Sequence, residues 1–282
     1  MDWEPRTVTT DEVLDPGPVA ALAALFDDGL PTPRPGDPLP PLWHWVALPR
    51  WCPSSQLGSD GHPRRGDFLP PVKLPRRMFA GGSAEYSGTL RVGDEVRREA
   101  IVESVTEKSG RSGTLVIVVT STTLIGPNGS LTEKQNLIYR EASPATDQAA
   151  TPSNEPVGAP LSADGRRWRF RTDPTLLMRF SAATANAHRI HYDWPYATGV
   201  EGYPGLVVHG PLQTLALAEA HRLDDGSPVT ALAHRTNAPL FCEQTATISA
   251  RPTDTGKTVE LFGPDAEHPG TTLGLTLAGR KD

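Results

Sequence analysis

Cysteine is nearly absent from this chain. Its two cysteines, Cys52 and Cys242, stand far apart in 282 residues, which excludes a disulfide framework and a thiolate metal cluster and fits a reducing compartment. Long apolar runs are missing too: none approaches the roughly 18 residues that a membrane helix requires. Met1 to Asp15 is acidic where a secretory or organellar leader would be basic, so a cytoplasmic protein without a membrane partner is expected. Basic charge is also short. Lys and Arg number 27 against 33 Asp and Glu, a net charge of -6, and their even spread leaves no basic face for nucleic acid. A small neutral or anionic ligand is the better expectation.

Several catalytic signatures are lacking as well. There is no Gly-x-Ser-x-Gly element for a serine nucleophile. Gly81-Gly82 and Ser109–Gly113 have no P-loop lysine, and the chain has no His-Glu-x-x-His zinc motif. The spacing of His188 and His191, with His209 as a third ligand, permits zinc without supporting it, so no metal is expected.

Proline and glycine, by contrast, are plentiful at 29 and 26 residues, and they gather in Pro31–Pro75 and Pro144–Pro160 rather than throughout. The Pro, Ala, Ser and Thr-rich segment 144–164 reads as a linker between a first half, 1–143, and a second half, 165–282. Each half has strand-like segments separated by turns. In the first these are Val96–Val105, Leu115–Thr120 and Asn136–Arg140, with turns at Ser109-Gly110 and Pro127-Asn128-Gly129. In the second they are Thr245–Ala250, Thr258–Phe262 and Thr271–Leu277, where Leu273, Leu275 and Leu277 alternate with Thr272, Gly274 and Thr276.

Each half also offers a helix to cover its sheet. In the second, Pro211 stands at a helix start, where its missing NH is harmless, ahead of the stripe Leu212, Leu215, Ala216 and Ala220. In the first, Val19, Leu22, Leu25 and Phe26 form one stripe and Trp43-His44-Trp45 another. The pattern therefore predicts an α+β chain in which an antiparallel sheet wrapped around a helix occurs twice. Trp43, Trp45 and Trp51 read as a proline-stiffened wall.

Chemistry is concentrated in Asn186-Ala-His188-Arg-Ile-His191-Tyr-Asp193 and in Gly202 through Pro211. A neutral imidazole is a competent base near pH 7, and three-residue spacing lets His188 and His191 face one cavity. Asn186 can hold water or substrate, while Asp193 can orient an imidazole or cap the next turn. Gly210, opening a helix, presents an unpaired NH at the positive end of the dipole, suited to an oxyanion.

Together these segments resemble the MaoC-like double hot-dog hydroxyacyl-thioester dehydratases and enoyl-thioester hydratases, in the branch with mesaconyl-CoA and itaconyl-CoA hydratases and the mitochondrial-type dehydratase. The resemblance spans nearly the whole chain. It is also carried by Pro40-Pro-Leu-Trp-His-Trp45, Asp60-Gly-His-Pro-Arg64, Phe68-Leu-Pro-Pro71, Pro75-Arg-Arg-Met78 and Lys108–Gly113.

The resemblance implies two hot-dog folds, the second catalytic and the first non-catalytic, widening a substrate cleft. It implies a hydro-lyase acting reversibly on an enoyl or 3-hydroxyacyl thioester, with coenzyme A or an acyl carrier as part of the substrate and no separate cofactor. His191 is the expected general base, Gly210 the oxyanion donor, Asn186 and His188 their helpers, and Asp193 and His209 orienting groups. The broader motif Gly-Asp-x-Asn-Pro-x-His lays its aspartate on Asn186, an amide that cannot accept a proton.

Arg76, Arg77, Lys108, Arg111 and Arg235 are the expected contacts to a carrier phosphate, and Arg76, Arg77, Arg189 or Arg235 to a dicarboxylic acyl group. An acyl-CoA thioesterase and a non-catalytic acyl-CoA-binding subunit are the alternatives. Monomer and homodimer are both open.

Overall fold

The structure is a computed structural model describing residues 3–110, 113–141 and 157–279. The first half runs β1 (Val8–Val13), α1 (Pro16–Phe26), α2 (His44–Ala47), a 3-10 turn (Ser54–Gln56), then β2 (Arg76–Gly88), β3 (Glu95–Gly110), β4 (Gly113–Ile125) and β5 (Gly129–Arg140). The second runs β6 (Leu161–Asp164), β7 (Arg167–Phe170), α3 (Pro174–Ala183), a 3-10 turn (Arg189–His191), α4 (Trp194–Gly199), α5 (Gly210–Asp224), β8 (Val229–Thr236), β9 (Ala246–Pro252), β10 (Gly256–Phe262) and β11 (Thr271–Leu277).

The two expected sheets are joined edge to edge. Among the described residues all eleven strands form one antiparallel sheet in the order β1-β3-β4-β5-β2-β8-β11-β10-β9-β7-β6. Each half places its first long strand beside its last, then the third and second, so β2-β5-β4-β3 and β8-β11-β10-β9 repeat one topology on either side of the β2–β8 seam. That seam needs glycine. Gly81 (φ +137°) follows a register break in β2, and a Cβ there would lie 2.3 Å from the His234 carbonyl oxygen.

The strands run longer than the apolar segments predicted. β3, β4 and β5 extend into Thr, Ser, Glu and Lys positions because one face of each is solvated, and alternation survives where a continuous apolar run does not. β2 escaped notice because its Arg-Arg and Gly-Gly pairs read as loop. The linker also ends early: Leu161–Asp164 form β6 and pair with Arg167–Phe170 of β7, while residues 144–156 lie outside the described residues.

The helices differ between the halves. α5 is buried from Leu212 through His221 and packs against β10, β11 and also β2, so the second half has its wrapped helix. α1 and α3 are matched covers, each begun by an aspartate cap and a proline: Asp15 accepts from the Gly17 NH at 2.8 Å and Asp173 from the Leu176 NH at 2.6 Å. In the first half the Trp43-His44-Trp45 stripe yields only the single turn α2. Trp43 is core, Trp45 is partly buried and Trp51 is 76% exposed, so the three do not form one wall. A cavity of about 1070 Å³ lies over β2, β4 and β5 and reaches the start of α5.

α5 is tied to the first half through a buried acid pair. Glu219 is 1% exposed and is bonded by Arg222 at 2.7 Å, while Arg222 reaches Asp28 at 3.2 Å and lies over the Trp43 ring. Burial, then the hydrogen bond with Asp28, pushes Glu219 from 4.5 up to about 8. A carboxyl raised on folding stabilises the folded state below its unfolded value and loses that contribution as pH rises. Between pH 4.5 and about 8 the melting temperature of the wild type should therefore fall relative to that of Glu219→Gln. An unchanged slope in the variant would assign the dependence elsewhere.

Candidate active site

His191 is fixed by backbone. Residues 190–191 zip to Val207 through two bonds: the Val207 NH donates to the Ile190 carbonyl at 3.0 Å, and His191 Nδ1 lies 2.7 Å from the Val207 carbonyl. A carbonyl only accepts, so Nδ1 carries the proton and Nε2 the lone pair. The ring is buried and stacks on His209 at 3.6 Å. His209 is held in turn by Ser181 Oγ at 2.8 Å and by the edge of Phe180. Burial, then the neighbouring His188, lowers His191 from 6.5 to about 3, and burial takes His209 well below its usual value. Both are neutral at physiological pH.

His188 caps the 3-10 turn that carries His191 and meets its ring edge-on at 5.5 Å. The His188 backbone NH donates to Asn186 Oδ1 at 3.2 Å, so the amide shapes this loop, and both residues line the cavity. His188 Nε2 stands 3.5 Å from Glu201, which Arg76 also bonds at 3.1 Å. Burial acts against the Glu201 charge, yet His188 and Arg76 together hold it below its usual value.

Gly210 is the first residue of α5. As such its NH has no intrahelical acceptor, His209 provides no side-chain cap, and the residue lines the cavity. A Cβ at position 210 would come within 3.0 Å of Phe79. Glycine thus leaves the NH reachable.

The remaining expected residues separate. Asp193 does not orient an imidazole: its carboxylate caps α4 through the Tyr196 NH at 3.1 Å and pairs with Arg189 at 2.7 Å, because those partners sit within one turn of it. Arg76 is not free for substrate, being bound to Glu201 and stacked over Tyr203. Lys108 is in β3 and is not among the residues lining the cavity. Arg111 lies outside the described residues. Arg77 and Arg235 both line the cavity.

Sequence reasoning assigned no role to Asp60 and His62, which come from the first half and pack on His188: the His62 and His188 ring centroids are 4.1 Å apart. Nor did it find Glu201, whose only signal was an acid near the Gly202 turn. The cavity also holds a buried carboxylate from the first half. Glu133 accepts from Trp45 Nε1 at 2.6 Å and lies 3.3 Å from His44 Nε2. Burial opposes its charge, but His44 and Trp45 keep it below the usual value.

The family model described as hydroxyacyl-thioester dehydratase type 2 matches residues 42–242. The chain is 43% identical over 279 residues to a mesaconyl-C(4)-CoA hydratase of Chloroflexus aurantiacus, covering 98% of this chain and 96% of that protein. Among solved structures it is similar to HtdX of Mycobacterium tuberculosis, with a TM-score of 0.65 and 20% identity over 95% of this chain and 99% of that one. A second M. tuberculosis protein, described as a double hot-dog fold, superposes with a TM-score of 0.56 at 16% identity over 98% of this chain and 96% of its own. These two place the fold, a double hot-dog. The match to the family over most of the chain and the 43% identity place its membership: this chain belongs to the hydroxyacyl-thioester dehydratase type 2 family.

Proposed function

We propose that the protein adds water reversibly across the α,β double bond of an enoyl thioester whose acyl group also bears a free carboxylate, as a mesaconyl thioester does. The observation that carries the reading is the pairing of His191, whose Nε2 lone pair is left free by the Val207 carbonyl, with the Gly210 NH on the same cavity. Water attacks the β-carbon as His191 Nε2 takes its proton. The π electrons move to the thioester oxygen, where the Gly210 NH stabilises the enolate, and the imidazolium returns the proton to the α-carbon. Dehydration reverses these steps.

Arg77 supports the carboxylate. It lines the cavity beside His62, and among the described residues no carboxylate stands within ion-pair distance of it. Burial disfavours its charge, offset in part by the Tyr139 phenol and, farther off, by Asp60. A cation sheltered this way favours an anionic ligand group. Arg76 and Arg189, by contrast, already have carboxylates.

Arg77→Met should raise KM for a mesaconyl-type thioester by about 10- to 100-fold, the equivalent of a charge-assisted hydrogen bond. It should leave hydration of an uncharged crotonyl thioester within a few fold. Steady-state kinetics on both substrates checks this, and an equal loss on both would remove Arg77 as the carboxylate partner.

A further inference from the structure

The segment from Gly58 to Arg64 is built against the second half. The Arg189 backbone NH donates to the Asp60 carbonyl at 2.9 Å and its guanidinium to the Ser59 carbonyl at 3.0 Å. Gly61 has φ +88°, and a Cβ there would sit 1.8 Å from the Ala187 carbonyl oxygen. Contact this close leaves room for no other residue.

What this seam delivers is an imidazole with a fixed tautomer. One Asp60 carboxylate oxygen accepts from the His62 backbone NH at 3.0 Å and the other faces His62 Nδ1 at 3.0 Å. Both partners are donors, so Nδ1 is protonated and Nε2 is an acceptor. No protein partner for Nε2 occurs among the described residues, and His62 lines the cavity with His188, His191 and Gly210.

A nitrogen of each of His62 and His188 and an oxygen of Asp60 lie within 4.8 Å of one another, a spacing that a metal ion would also accept. The orientation argues against one. Both Asp60 oxygens already accept hydrogen bonds from His62, and the His62 and His188 rings pack against each other, centroids 4.1 Å apart and planes tilted by 35°.

We infer that His62, oriented by Asp60, is the second acceptor on the reacting water, so that the first half contributes to the reaction as well as to the cleft. The inference rests on the hydratase reading. A water with one hydrogen on His191 Nε2 and the other on His62 Nε2 has only its lone pairs left for the β-carbon. In the step, the O–H bond to His191 breaks and the O–C bond forms as the C=C pair shifts to the enolate oxygen. The hydrogen held by His62 stays on the new hydroxyl, and the His191 proton passes to the α-carbon as the thioester reforms. His62 is catalytic, since it touches the reacting water, and Asp60 is a positioning residue.

Asp60→Asn tests this with little change of shape. The His62 backbone NH requires an acceptor, so the amide oxygen turns to it and the amide NH2 faces Nδ1. That forces Nδ1 to accept and moves the proton to Nε2. The expected result is a kcat reduced by about 10²- to 10⁴-fold with KM within a few fold, a melting temperature close to wild type, and 15N NMR showing His62 protonated at Nε2. His62→Gln, which can present an amide oxygen, should retain more activity than His62→Ala.

A folded Asp60→Asn with wild-type kcat would overturn the inference. So would wild-type activity abolished by EDTA and restored by zinc, which would make the cluster a metal site. Failure of the wild type to hydrate any enoyl thioester would instead sink the reading beneath it, leaving the tautomer measurement as a separate result.

Discussion

His191→Ala is expected to lower kcat for hydration by about 10²- to 10⁴-fold, the usual contribution of a positioned acid–base group. Its fold should persist. Among the described residues the ring's one hydrogen bond goes to the Val207 carbonyl, and residues 190 and 207 keep their backbone bond without it. KM should change little, because the imidazole acts on water rather than on the acyl chain or the carrier. The pH profile makes the assignment sharper. His191 must be neutral to act, and burial with His188 lowers it from 6.5 to about 3, so activity should not decline through an imidazole step near pH 6.5. A step there that vanished in the variant would mean that this ring is charged in the resting protein. Stability follows the same sign: the contribution from keeping His191 neutral is complete above 6.5 and is lost as pH falls toward about 3. The variant should therefore resist acid better than the wild type in the same measurement of melting temperature against pH.

Gly61→Ala is expected to separate the two halves of the site. A methyl group at 1.8 Å from the Ala187 oxygen cannot be accommodated by a side-chain rotation, since the obstacle is backbone and φ is +88°. Strain of this kind costs about 1–3 kcal/mol, and the loop must also withdraw from Arg189. Displacement of a catalytic group by about 1 Å costs on the order of 100-fold in rate, so kcat should fall at least that far while the protein remains folded at room temperature. Kinetics and a thermal melt on one preparation check it. A variant with a lowered melting temperature and unchanged kcat would show that the loop serves stability alone.

The second-half site was legible because its chemistry is local in sequence. Asn186, His188 and His191 fall within one loop and one 3-10 turn, and Gly210 is marked by the proline after it. Periodicity exposed β9, β10 and β11, whose apolar residues alternate cleanly, and the stripe of α5. It underestimated β3, β4 and β5, whose outer faces are polar, and passed over β2, whose Gly81 and Gly82 admit the close approach of β8 and β5. His62 and Asp60 were present in a segment that resembled the family, yet nothing in one dimension places residue 62 beside residue 188. Long-range pairing was likewise needed to see that Arg76 is neutralised by Glu201, 125 positions away, while Arg77, its neighbour in β2, lines the cavity as Arg235 does. Of the two roles open to Asp193 the cap is the one observed: its capping and pairing partners are local, and they claim the carboxylate before an imidazole can.

The most direct test of the account is incubation of the wild-type protein with a mesaconyl-type thioester in 18O-labelled water, followed by mass spectrometry of the intact product and titration of free thiol. The account predicts a thioester that has gained one water, with 18O in a new hydroxyl group and no thiol released. Free thiol with 18O in the released carboxylate would contradict it and make the protein a thioesterase.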